Sequence, residues 1–333
     1  MKQRHLGRSG LVVSRLALGT MTWGRDTDED DAATQLLAFY EAGGTLVDTA
    51  DTYAGGESER VLGRLLADVV PREQMIVATK AYGVVGPGPM GRGTSRGHLL
   101  SALDGSLRRL QLDHIDLWQL HSWDHVTPWE ETMAAVDVAV ASGKVRYAGV
   151  SNYSGWQLGA TAAHQRALPG RFPLLSNQVE YSLLQRGVER EVVPAAQELG
   201  IGLLPWSPLG RGVLTGKYRN GAPADSRGGT EHYKAFVEPY LDDRARSVVD
   251  AVLTAADGLG VSPVAVALAW VRDRPGVVAP IVGARTSAQL QASLAAEQVV
   301  LPDVVRSALD DVSAPEVGYP ERSWSWTSED LED

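Results

Sequence analysis

Eight short apolar runs, each followed by a longer stretch with helical spacing, constrain this chain more than any other feature. The runs fall at 15–19, 44–48, 74–79, 115–120, 145–150, 175–180, 201–206 and 277–282. Helical spacing occupies the segments near 28–42, 57–67, 96–110, 128–142, 154–165, 187–199, 240–274 (long enough for two helices) and 287–297, and an extra segment lies near 302–312. Apolar strands alternating with helices are parallel strands joined by crossovers. Eight such units fit a closed (β/α)8 TIM barrel, with an open doubly wound sheet as the rival. What ends the runs favours the barrel. Thr20, Asp48, Lys80, His121, Ser151-Asn152, Gln178, Ser207 and Gly283 with Arg285 all fall at or just past strand ends. A barrel gathers those ends on one face, whereas an open sheet spreads them along an edge. Gly7-Arg8-Ser9-Gly10 between short apolar pieces predicts a small hairpin in residues 1–14. Residues 1–333 thus read as one barrel domain with an N-terminal hairpin and extra helices.

Helix starts carry local signals. Thr127-Pro128-Trp129-Glu130, Ser154-Gly155-Trp156-Gln157 and Thr286-Ser287-Ala288-Gln289 have the form of capping boxes. Ser262-Pro263 marks another start, and Thr27 precedes an acidic first turn. Two stretches break the regular spacing. Residues 207–239 are rich in Gly, Pro and charge, too long for an ordinary barrel connection, and are expected to form a lid or cofactor strap. The acidic tail 313–333, with Trp324 and Trp326, is open to passive packing, disorder or a pocket-lining role.

Several function classes are disfavoured. A net charge of −10 argues against nucleic acid and anionic membranes as partners. The absence of cysteine removes thiol chemistry and disulfides. Arg15 interrupts the apolar run after the basic N-terminus, so no signal peptide is read, no membrane span is expected, and the expected location is cytoplasmic. His121, Asp124 and His125 lack a third ligand at diagnostic spacing, so no metal is expected. Gly86-Pro87-Gly88-Pro89-Met90-Gly91 matches the dinucleotide spacing literally. Its two prolines remove amides that should meet phosphate, and a six-residue gap separates it from the preceding strand. A flexible loop on the active face is the better reading.

The chemistry concentrates at residues 44–59. A short apolar run delivers Asp48, and Tyr53 follows in a glycine-containing turn. A tyrosine with a free pKa of about 10 becomes an acid when a close cation favours its phenolate. Lys80, at the end of the next run, is such a cation, and His121 ends the run after it. Each alone has an ordinary structural explanation: an ion pair, a turn tyrosine, a buried histidine. Four of them converging on one barrel face point to a site.

The set Val47-Asp48-Thr49-Ala50-Asp51-x-Tyr53-x-Gly55-Gly56-x-Ser58-Glu59 resembles the signature of the aldo/keto reductase superfamily. Ala78-Thr79-Lys80, Asp116–His121, Gly149-Val150-Ser151-Asn152, Asn177–Tyr181, Trp206–Leu209, Leu214–Lys217 and Ile281-x-Gly283-x-Arg285-x-x-x-Gln289 continue the resemblance in family order. It implies an NADPH-dependent reductase of aldehydes or ketones. Tyr53 would be the general acid, Lys80 held by Asp48 would lower its pKa, and His121 would orient the substrate carbonyl. Thr20 and Met21 would border the cofactor. Ser151, Asn152 and Gln178 would hold the nicotinamide carboxamide, and Trp206 would stack on its ring. Residues 207–217, among them Ser207, Pro208, Leu209, Gly210, Gly212 and Lys217, together with Arg227, would strap the pyrophosphate. Gly283, Arg285 and Gln289 would hold the adenosine 2′-phosphate end, with Ser293 beside the adenine. Trp23 and Trp123 would form an aromatic wall for a small-molecule carbonyl substrate. Related proteins often carry Glu-Asn where this chain has Ala292-Ser293, which thins the adenine contacts. The superfamily also includes potassium-channel β subunits and enzymes that oxidise sugars or alcohols, and both roles remain as alternatives.

Overall fold

The computed structural model describes residues 1–219, 221, 223, 229, 231–316, 318 and 319. Arg227 and both tail tryptophans lie outside them.

A two-stranded antiparallel hairpin comes first, β1 (Gln3–His5) and β2 (Val12–Ser14). Eight strands then follow: β3 (Ala17–Gly19), β4 (Leu46–Asp48), β5 (Ile76–Ala81), β6 (Ile115–Leu120), β7 (Val145–Ser151), β8 (Leu174–Glu180), β9 (Gly202–Trp206) and β10 (Ile281–Gly283). They pair in the order β10-β3-β4-β5-β6-β7-β8-β9, every neighbour parallel. A parallel bridge between Leu203 and Val277, just before β10, closes the gap between the ends. The expected (β/α)8 barrel is therefore present, and the open sheet is excluded.

The crossovers are α1 (Glu29–Glu41), α2 (Glu57–Asp68), α3 (Arg96–Leu110), α4 (Trp129–Ala141), α5 (Gly155–Ala167) and α6 (Val188–Leu199). After β9 come α7 (Glu231–Val237), α8 (Asp243–Leu259) and α9 (Pro263–Arg272), and after β10 come α10 (Ser287–Leu294) and α11 (Asp303–Val312). Among the described residues no single helix is long and apolar enough to cross a membrane.

Ser262 caps α9 by accepting the Ala265 amide, as its sequence suggests. Two caps differ from expectation. The residue capping α1 is Asp28, one past Thr27, and its carboxylate accepts from Asp31 N. Thr127 does not cap α4, because its hydroxyl donates to Asp124 Oδ2 at 2.8 Å instead.

The core has two parts. Leu46, Ala78, Leu117, Leu175 and Leu204 cluster with Leu6, Leu11 and Val13 of the N-terminal hairpin. The Arg4 guanidinium fastens that hairpin by donating to the carbonyls of Arg272, Val277 and Val278. A larger cluster packs the helices against the outside of the barrel. Burial at roughly 25 cal/mol per Å² holds the strands together, and the opposite strand ends are left to carry polar groups.

Candidate active site

Register sets the site. Gly19 pairs with Asp48, Asp48 with Ala78, Lys80 with Gln119, and Ser151 with Gln178. Asp48 is thus level with Ala78, two residues before Lys80, and Gln119 with Gly149, two before Ser151, so these side chains come from successive levels near the strand ends. Tyr53 enters from a short 3-10 turn, Tyr53–Gly56, between β4 and α2. That turn needs backbone that ordinary residues avoid. Gly56 has φ 89°, and a Cβ there would lie 2.8 Å from Arg109 Cδ, so glycine is required on both counts. Ala54, Asn152, Ser207 and Arg211 also adopt positive φ, and all four lie on this face. Such strain persists where surrounding structure over-determines it, as at functional sites.

The four expected side chains meet. Lys80 Nζ lies 2.6 Å from Asp48 Oδ2, 2.8 Å from the Thr49 carbonyl and 3.2 Å from Tyr53 Oη. An ammonium has three N–H donors and no acceptor. All three are therefore used, and Tyr53 Oη must accept one of them. The phenolic hydrogen consequently points away from Lys80, and Tyr53 lines the cavity described below. The His121 ring stands edge-on to Tyr53, with centroids 5.9 Å apart.

Electrostatics correct one expectation. Burial, opposed by Lys80 and reinforced by Asp48, holds the Tyr53 phenol above its ordinary pKa. Lys80 pulls in the expected direction, but desolvation is the larger effect. Tyr53 is thus a fully protonated acid at neutral pH, with a cation ready beside the phenolate it would become. Burial alone would lower the Lys80 pKa, but Asp48 and Tyr53 reverse this and raise it, so the ammonium stays charged. Burial, then the Lys80 charge, lowers His121 to about 3, leaving a neutral imidazole that can exchange hydrogen bonds without carrying charge.

A cavity of about 510 Å³ opens above these groups. Its lining divides by chemistry. Tyr53, His121, Ser151, Asn152 and Gln178 form a neutral, hydrogen-bonding end, whereas Lys217, Arg285 and Gln289 form a cationic and polar end beside Gly283 and the start of α10. Thr20, Met21, Trp206, Ser207, Pro208, Leu209, Gly212 and Ser293 also line it, as expected. The set fits a dinucleotide: amide partners at one end, anion partners and a helix N-terminus at the other.

Some side chains are already engaged. The Asn152 amide donates to the His121 carbonyl and Ser151 Oγ, while its oxygen accepts from Trp206 Nε1 at 3.0 Å. Gln289 reaches the Arg285 amide rather than completing a box with Thr286, whose Oγ1 accepts from Gln289 N. The Ser293 hydroxyl donates back to the Gln289 carbonyl.

Three expected residues are elsewhere. Trp23 is fully buried, packs with α1 and donates its indole N–H to Gln35, because the buried face of that helix takes it. Trp123 does not line the cavity. It stacks edge-to-face on Tyr153 and Trp156, with centroids 5.1 and 5.2 Å away. Gly210 forms a left-handed turn in which a Cβ would meet Leu184 at 2.7 Å, and it does not line the cavity.

Arg211, inside the expected strap 207–217, and Phe236, which the sequence did not single out, also line the cavity. Arg211 makes a bidentate pair with Glu180, at 2.8 and 2.7 Å, and stacks over Phe236 at 4.0 Å. Phe236 lies nearly parallel to Trp206. Nothing local marks Phe236, since its place depends on how the long connection after β9 folds back. A buried carboxyl was also missed. Asp51 is 1% exposed, and neither of its oxygens has a well-formed hydrogen bond among the described residues. Burial, then the neighbouring Glu59 carboxylate, raises its pKa to about 7.

The aldo/keto reductase family model matches residues 15–314. The chain belongs to that family. It is 38% identical over 337 residues to the uncharacterized oxidoreductase YrpG of Bacillus subtilis, covering 98% of this chain and 100% of that one. Two plant proteins named as probable voltage-gated potassium channel subunits beta are also similar. The rice protein is 36% identical and the Arabidopsis thaliana protein 35%, each alignment covering 98% of this chain and 100% of theirs. Family and relative together support an oxidoreductase.

Proposed function

We propose that the protein is a cytoplasmic, NADPH-dependent reductase of small aldehydes or ketones. The observation that carries this is the direction of the Lys80–Tyr53 hydrogen bond, which turns the Tyr53 proton away from the cation. NADPH, when bound, supplies the hydride. Tyr53 gives its proton to the carbonyl oxygen as charge develops there, and Lys80 holds the resulting phenolate, itself fixed by Asp48. Neutral His121 orients the carbonyl oxygen by a hydrogen bond. Ser151, Asn152 and Gln178 hold the carboxamide, Trp206 the nicotinamide face, and Lys217, Arg285 and Gln289 the phosphates. Recovery of the Tyr53 proton from water completes the cycle.

The test is NADPH oxidation against a broad panel of uncharged carbonyls, with NADH in parallel. Saturable turnover preferring NADPH is expected, and no turnover with any member would sink the reading. The names of the plant relatives favour a second reading, an accessory channel subunit. Turnover on the panel separates the two, because a binding module needs no competent acid.

A further inference from the structure

Two amides converge on one oxygen of the site carboxylate. Gln178 Nε2 lies 2.8 Å from Asp48 Oδ1, and Gln119 Nε2 lies 3.3 Å from the same atom. The other oxygen, Oδ2, takes the Lys80 ammonium. A carboxylate only accepts, so both amides must present nitrogen to it, and their orientation is fixed.

The two glutamines differ in what lies beyond. Gln119 is fully buried, its Oε1 accepts from Ser176 Oγ at 3.2 Å, and it does not line the cavity. Gln178 does line the cavity, and its Oε1 has no partner among the described residues, although it is not one of the buried orphan atoms. That oxygen therefore opens to the cavity. The Gln178 backbone carbonyl also accepts from Ser151 Oγ and from the Asn152 backbone N–H, each at 2.8 Å. One residue thus touches the amide-binding end with its backbone and side-chain oxygen, and the acid's support with its side-chain nitrogen.

We propose that Gln178 couples the nicotinamide-amide end of the cavity to the Tyr53 proton donor, with Gln119 as the fixed counterpart that keeps Asp48 seated. The coupling rests on the dinucleotide reading above. An N–H placed on Gln178 Oε1 polarises the amide and strengthens its opposite N–H as a donor. Asp48 then gives more of its charge to Gln178 and less to Lys80. The ammonium turns more fully to Tyr53, and the phenol becomes a stronger acid when the amide end is filled. Gln119 sees no ligand and acts equally in both states. Both are positioning residues, since neither touches the reacting carbonyl.

The readout is the Tyr53 Cζ resonance in protein carrying labelled tyrosine, assigned by its loss in Tyr53→Phe. It is followed against pH with and without saturating NADP+, and binding is measured on the same samples. NADP+ should lower the Tyr53 pKa in the wild type. Gln178→Met, of similar length without the amide, should lose roughly 0.1–0.3 pH unit of that fall. Gln119→Met should raise the Tyr53 pKa similarly in both states and leave the ligand-driven fall intact. Gln178→Leu replaces the methionine variant if that one does not fold. Saturable binding with an undiminished fall in the Gln178 variants overturns the coupling alone. No saturable binding by the wild type overturns the coupling and the dinucleotide reading together.

Discussion

The two ends of the cavity solve opposite electrostatic problems. At the acid end, Lys80 is fully buried, Asp48 is 3% exposed, and every ammonium donor has a fixed acceptor. At the other end, Lys217 and Gln289 are exposed and Arg285 is half-buried, on a loop and at the start of α10. In the interior, charges interact strongly, but each unpaired one is costly. At the surface, charges are screened and adaptable. The acid end therefore holds one arrangement, whereas the exposed, cationic end, where phosphate is proposed to bind, suits an anion arriving from solution. Losses of turnover at the first end should be the larger and insensitive to salt, and losses of affinity at the second smaller and salt-dependent.

The largest effect should come from Tyr53→Phe, which removes only the phenolic hydroxyl proposed as the proton donor. Turnover is expected to fall roughly 10²–10⁴-fold while NADPH still binds. Near-normal turnover would place the acid elsewhere. Lys80→Met comes next. It leaves the Asp48 carboxylate buried without its cation, which should cost about 3–5 kcal/mol of stability, measured by denaturant unfolding. The Tyr53 pKa should rise further, because the one group that lowers it most is gone. Asp48→Asn should cost less activity, since it loosens Lys80 without removing its charge. If Lys80→Met proved mild in both respects, the contrast between the two ends would lose its basis.

What the sequence revealed follows the same division. Strand ends were legible because a parallel strand buried on both faces is a short, mainly apolar run, and the polar or charged residue at which the run stops marks the mouth of the barrel. Asp48, Lys80, His121 and Gln178 could be placed in this way. Lys80's exclusive donor chemistry made its partner types predictable too. The net direction of the Tyr53 pKa was not legible, because desolvation depends on the depth of burial. Trp23 was misplaced for a related reason. Its position after β3 suggests the cavity, but the choice between cavity and helix belongs to the buried face of α1. Arg211 and Phe236 meet only through the fold of the connection after β9, where no periodic pattern guides the eye.

At the phosphate end, Arg285→Ala should weaken NADPH by roughly 10- to 150-fold, the worth of one charged hydrogen bond of about 1.5–3 kcal/mol. NADH should change little, because it offers no 2′-phosphate. Equal losses for both cofactors would show that Arg285 does not read that group. A smaller effect tests the acid end through pH. With a folded pKa of about 7 against an ordinary value of 3.8, Asp51 holds a proton in the folded state that the unfolded chain has released. Its contribution to stability is therefore full below pH 3.8 and is lost as pH rises to about 7. Within that window the slope is at most about 1.4 kcal/mol per pH unit. Asp51→Asn should flatten the wild-type stability profile there, and parallel profiles would mean that Asp51 is ionised throughout.

The smallest effect should be that of Lys217→Ala. Lys217 is exposed, and its ammonium lies 5.2 Å from the Tyr218 ring centroid with no carboxylate partner among the described residues. A flexible surface cation attracts phosphate through water, and exposed pairs of this kind contribute about 0.2–1 kcal/mol. NADPH affinity should therefore fall by a factor of about 1.5 to 5 at low salt. The Debye length shrinks from about 10 Å at 0.1 M to 3 Å at 1 M ionic strength, so the difference should vanish as salt is raised. The loss of turnover in Tyr53→Phe should not change over the same range, because its surroundings exclude the screening ions. Measuring both variants across one salt series tests the comparison directly. A Lys217→Ala loss that persists at 1 M salt would mean that the lysine is held against the phosphate as firmly as Lys80 is held against Asp48.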